Sequence, residues 1–198
     1  MNAMSQPNFL QVTNALENAV TFCESHPGYG CSRSFSARLT EVRSLFASAT
    51  RRTDTTYTNW RVVVGEELRQ FREIRLEYAR IVALCDEHGY DGVPNKRIVY
   101  TEREHLLALV AELVSWLTPK ASEWEWIPVH LSTLKGLVES ADRKRREAQA
   151  LYVEYTVSVK QRVSAYEIAV MTLKEFRRDA RADVKSLSEL ASTDLYVL

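Results

Sequence analysis

Between Leu131 and Leu187 an apolar residue recurs every three or four positions, through Leu134, Val138, Ala141, Ala148, Tyr152, Tyr155, Val159, Val163, Tyr166, Val170, Leu173, Phe176, Ala180 and Val184, with Arg145 as the one charged step. That period puts all of these side chains on one face of an α-helix. A helix of about 55 residues at ~1.5 Å per residue would be roughly 80 Å long. A second stripe of similar length runs from Ser34 through Leu39, Val42, Phe46, Ala49, Thr53, Trp60, Val64, Leu68, Phe71, Ile74, Tyr78 and Ile81 to Cys85. Six glycines and five prolines are too few to punctuate an all-β chain of 198 residues. The expected class is therefore all-α.

Each long stripe follows a short one. Phe9, Val12, Leu16, Ala19, Val20 and Cys23 predict a first helix over 8–23, stopped by "SHPGYG", where Pro27 cannot donate a helical hydrogen bond. Leu106, Leu109, Val110, Leu113, Val114 and Leu117 predict a third helix, with Thr101 and Glu104 spaced as a capping box. Pro119 and Pro128 bracket the break after it, and Gly89 is placed to cap the end of the second helix. The order short helix, break, long helix occurs twice. In addition, "LTEVRSLFASATRR" from Leu39 matches "LSTLKGLVESADRK" from Leu131, 92 positions on, with identities at Leu39/Leu131, Leu45/Leu137, Ser48/Ser140, Ala49/Ala141 and Arg51/Arg143. The expected architecture is an elongated antiparallel arrangement of two short-helix/long-helix hairpins, residues 1–92 and 93–198, forming one structural domain and related by internal duplication. Any two amphipathic helices share a period, so the match alone does not require duplication.

The Thr-rich stretch "ATRRTDTTYTN" decides whether the second helix is one rod. Thr is a modest helix former, and Asp54 could cap a new helix near Thr55. The apolar stripe stays in phase across it, which favours a continuous helix.

Lys plus Arg and Asp plus Glu each number 26, so no overall field draws the chain to nucleic acid or an anionic membrane. Cys23, Cys31 and Cys85 do not form a disulfide framework, and "MNAMSQPNFLQ" has neither the basic nor the apolar region of a signal peptide. A cytoplasmic or other reducing compartment is expected. The most apolar stretch, "HLLALVAELVSWL", has 13 residues including Glu112. It falls short of the ~20 needed to span a bilayer.

Basic residues cluster at Arg51 and Arg52, at matching positions Arg143, Lys144, Arg145 and Arg146, and again at Arg177, Arg178 and Arg181. Such clusters neutralise phosphates, though a solvated face paired with acidic neighbours has the same composition. Trp124 and Trp126 in "SEWEWIP", with Tyr152, Tyr155 and Tyr166 in the fourth stripe, are amphipathic side chains of the kind that anchor a protein partner or cap a core. Cys23 with His26 and Cys85 with His88 are chemically suited to zinc, but a continuous second helix keeps the pairs apart. Glu102 and His105 have the spacing of a di-iron bundle ligand pair, without the second pair such a site needs. No Gly-rich phosphate loop, nucleophile elbow or His-Glu-x-x-His occurs.

The eight residues "ATRRTDTT" are similar to an Arg-Arg stretch before a helix in rod-shaped plant virus coat proteins, which are α-helical and bind RNA through arginines. The resemblance implies helical assembly and carries over no site. The expected function is a non-enzymatic helical interaction or assembly protein that self-associates, with no cofactor, metal or small-molecule substrate. The alternative is a nucleic-acid-binding or coat-like subunit using the paired basic clusters, and a metal-stabilised bundle ranks third.

Overall fold

The computed structural model describes residues 8–94 and 102–183. Among these residues the chain is all-helical. It forms α1 (Phe9–Ser25), α2 (Gly30–Glu87), α3 (Arg103–Leu117) and α4 (Trp126–Asp183), with a single 3-10 turn at Thr118–Lys120.

Local chemistry sets the helix ends. Asn8 caps α1, its side-chain oxygen accepting the Gln11 N–H at 3.1 Å. α1 stops at Ser25 before Pro27, and α2 begins only four residues beyond His26. The start of α2 is capped from the C-terminal end of α4, where the Asp183 carboxylate accepts the Cys31 N–H at 2.5 Å. That contact holds the Asp183 carboxyl below the usual carboxylate range. α2 ends in a left-handed turn at Gly89, φ 71°, with the Tyr90 N–H returning to the Cys85 carbonyl at 2.9 Å. Only glycine takes that φ without strain. The N-cap of α3 is Glu102, without a side-chain cap bond, and the Thr101 expected to cap it lies outside the described residues. Pro128 sits inside the first turn of α4, where a missing N–H costs nothing, and so does not bound the break as the sequence reading expected.

α2 runs unbroken through the Thr stretch. Thr53, Thr55 and Thr56 donate their hydroxyls to the carbonyls four residues back, Ala49, Arg51 and Arg52, at 2.9–3.0 Å. Their polar groups are thereby satisfied within the helix rather than competing with it.

The chain divides into two compact units. Unit 1 comprises Met1–Tyr57 and Val153–Leu198, and unit 2 comprises Thr58–Tyr152. Each unit takes one short helix with a part of both long helices. In unit 1, α1 contributes Val12, Leu16, Ala19, Phe22 and Cys23 to a core shared with Phe35, Leu39, Val42 and Phe46 of α2 and Ala165, Ala169, Leu173, Phe176 and Ala180 of α4. Alanines on α4 face bulky rings on α2, which lets the helices approach closely. In unit 2, α3 contributes Leu106, Leu109, Val110, Leu113 and Leu117 against Phe71, Ile74, Tyr78 and Ile81 of α2 and Ile127, Leu131 and Leu134 of α4. Within unit 1 the α4 partners of Cys31, Arg38 and Thr53 are Asp183, Glu175 and Ser158, descending as α2 ascends.

Candidate docking groove

In unit 1, α1 covers one side of the α2/α4 pair; the other side carries a groove lined by Leu45, Ser48, Ala49 and Arg52 of α2 and Val157, Lys160, Gln161, Ser164, Ala165 and Ile168 of α4. Ala49 and Ala165 back the α1-packed core and also floor the groove. Leu45, Val157 and Ile168 of this lining are 46%, 45% and 44% exposed. Val153 and Met171, also exposed, extend the same face of α4 at helical spacing.

The groove is electrostatically one-sided. Its only charged lining residues are Arg52 and Lys160. Neither forms an ion pair among the described residues. Toward the start of α2 the surface passes Leu45 to Glu41, with the Arg38–Glu175 pair at 2.6 Å beyond. At the opposite end of the unit-1 contact between α2 and α4, buried hydroxyls lie beside the Arg162–Asp54 pair at 3.9 Å. The Thr53 hydroxyl reaches the Ser158 carbonyl at 3.1 Å, and the Thr56 and Ser158 hydroxyls lie 2.8 Å apart. Thr53 and Ser158 are buried, so their full set of partners makes this polar seam stable rather than costly.

The basic clusters named from sequence have different surroundings. Arg51 and Arg52 are exposed in unit 1. In unit 2, Lys144 binds Glu66 at 2.8 Å and Glu147 at 2.9 Å, and Arg145 reaches Glu104 of α3 at 3.2 Å. Those hydrogen bonds raise Lys144 and lower Glu66 from their ordinary values. Arg143 and Arg146 remain exposed. In the third cluster Arg178 pairs with Asp179, Arg181 is exposed, and burial followed by repulsion from Arg181 holds Arg177 below its usual value.

The aromatic candidates also divide. Tyr166 packs edge-on against Phe9, centroids 5.4 Å apart, within the unit 1 core. Tyr155 lies 5.4 Å from Tyr57, and Tyr152, half-exposed, lies 5.5 Å from Trp60 in unit 2. Trp124 and Trp126 flank His88 at 4.3 and 5.7 Å. His88 thus belongs to an aromatic stack, and His26 stacks likewise on Phe22 at 4.6 Å. Cys23 and His26 belong to unit 1, Cys85 and His88 to unit 2. All three cysteines are buried thiols, and no group of three or more His, Cys, Asp or Glu that could hold a metal ion occurs among the described residues. Glu102 and His105 are both exposed. No described helix is long and apolar enough to cross a membrane.

Sequence reasoning passed over Leu45, Val157, Lys160 and Ile168 as a site. The available signal was a second apolar line on α4, Val153, Val157, Ile168 and Met171, running beside the main stripe. Comparison with protein families, curated proteins and solved structures finds no match.

Proposed function

We propose that this protein is a non-enzymatic helical interaction protein that assembles with copies of itself, its chain built as two antiparallel short-helix/long-helix hairpins derived by duplication. The observation carrying the functional reading is the uncovered groove of unit 1, with its exposed Leu45, Val157 and Ile168. Each of these side chains is already about half buried, so completing its burial at an interface contributes roughly 1 kcal/mol. The equal lengths of α2 and α4, 58 residues each, support duplication, as do Leu39/Leu131 and Val42/Leu134, all buried. Thr53 and Arg145 stand at equivalent steps but differ: Thr53 is buried and Arg145 is exposed.

A second reading has its own observation. Arg51, Arg52, Arg143 and Arg146 are exposed and without ion-pair partners among the described residues, which suits a phosphate-binding subunit. One experiment separates the two readings: light scattering with ultraviolet absorbance ratio over a concentration series, on protein purified without nuclease. Self-assembly predicts a defined multiple of 22.7 kDa free of nucleic acid. A chain-mass species at every concentration contradicts it. Co-purifying nucleic acid, lost on changing those four arginines to Glu, transfers the function to the basic clusters.

A further inference from the structure

We infer that two copies of this chain pair through their unit 1 grooves as a closed dimer, antiparallel about a two-fold axis, with Glu41 of each copy set against Arg52 and Lys160 of the other. The inference rests on the self-assembly reading above and adds the stoichiometry, the direction and the pairing.

Shape sets the contact surface. A hollow along α2, lined by Ala37, Thr40, Glu41, Ser44, Leu45 and Ser48, adjoins the groove and shares Leu45 and Ser48 with it. One surface of unit 1 therefore continues along α2 from Ala37 to Arg52, at ~1.5 Å per residue roughly 22 Å. Between Glu41 and Arg52 its α2 residues other than Leu45 are small, Ser44, Ser48 and Ala49, and Ser164 and Ala165 extend the small surface on α4. Such residues let helices of a second copy approach closely, while the exposed Leu45 and Ile168 supply apolar contact.

Charge sets the direction. Glu41 stands at one end of this surface and Arg52 and Lys160 at the other; all three are exposed and form no ion pair among the described residues. Arg51, Glu154 and Glu167 are exposed beside the surface without lining it, and the Arg38–Glu175 pair at 2.6 Å and the Arg162–Asp54 pair at 3.9 Å are each neutralised internally. Parallel docking would set Glu41 against Glu41 and cations against cations. Antiparallel docking sets Glu41 against Arg52 and Lys160, and a two-fold interface repeats that contact at its other end. The midpoint of α2 between Glu41 and Arg52 falls between Phe46 and Ala47, so Leu45 and Ser48 flank the axis and meet the same residues of the other copy. Each surface is then fully used by one partner, and assembly stops at two chains.

The test is light scattering over a concentration series on the full chain as wild type, Glu41→Arg, Arg52→Glu/Lys160→Glu and the variant carrying all three changes, each checked for helix content by circular dichroism. The wild type is expected at twice the 22.7 kDa chain mass. Either partial reversal sets like charges together at both ends and should weaken pairing at least about tenfold. An equimolar mixture of the two, and the variant with all three changes, bring opposite charges together again and should recover the wild-type mass. Undiminished pairing of either reversed variant, or a weakening that the mixture and the triple variant do not recover, overturns the pairing while self-assembly stands. Wild-type species larger than two chains overturn the closed dimer. A wild type at chain mass at every concentration overturns the self-assembly reading and this inference with it.

Discussion

Units 1 and 2 share a plan and differ in what joins their helices. Each packs a short helix onto parts of α2 and α4. Unit 2 joins them with charges: Arg103 of α3 binds the buried Glu67 at 2.8 Å, and His130 of α4 places Nδ1 2.5 Å from the buried Glu77. Lys144 and Arg145 are drawn into similar pairs. Unit 1 instead buries hydroxyls at its α2–α4 contact, those of Thr53 and Ser158, while its ion pairs between these helices, Arg38–Glu175 at 2.6 Å and Arg162–Asp54 at 3.9 Å, lie toward the surface. Arg103, Lys144 and Arg145 of unit 2 are held in ion pairs, whereas Arg52 and Lys160 beside the unit 1 groove form none among the described residues.

Substitutions can break or sharpen this contrast. The largest effect is expected from Phe46→Ala, which empties a fully buried ring site in unit 1 and should cost about 4 kcal/mol in urea unfolding. Next is Arg103→Ala in unit 2. It strands Glu67, whose side chain is only 4% exposed, and should cost about 3 kcal/mol. Its counterpart in unit 1, Thr53→Val, keeps the volume and removes a neutral hydrogen bond, so about 1 kcal/mol or less is expected. Equal costs for the last two would erase the difference drawn between the units.

The smallest effect is pH-dependent. Because the folded state holds the Asp183 carboxyl below its ordinary value, its stabilisation is fully present above the unfolded pKa of ~3.9 and is lost as pH falls through the lower folded value. The urea midpoints of wild type and Asp183→Asn should therefore differ near neutrality and converge in acid. A constant gap would show that the carboxylate cap on Cys31 contributes nothing.

Much of the helical layout was legible because it rests on period and punctuation. Pro27 and Gly89 act as sequence chemistry predicts, Asn8 caps the first helix rather than lying within it, and the in-phase stripe across Thr53 does correspond to one helix. The inner face of α2 was read less well beyond the Thr run. The stripe named Val64 and Leu68, but the buried residues are Val63 and Glu67, with Leu68 51% exposed. A buried glutamate is invisible to a hydrophobic pattern until its partner, Arg103 on another helix, is known. The groove was missed for a related reason. Sequence shows which residues are apolar but not which helix face lacks a neighbour, and Ile168 differs from Val170 only in that respect: Val170 packs against the unit 1 core, and Ile168 is 44% exposed.

The central claim is that unit 1 carries the interface. Light scattering on Ile168→Glu beside Leu76→Glu tests it most directly, since Leu76 of unit 2 is the more exposed of the two at 64%. The account predicts that Ile168→Glu reduces the assembly to the 22.7 kDa chain and that Leu76→Glu leaves it intact. Dissociation by Leu76→Glu with Ile168→Glu still assembled would contradict it.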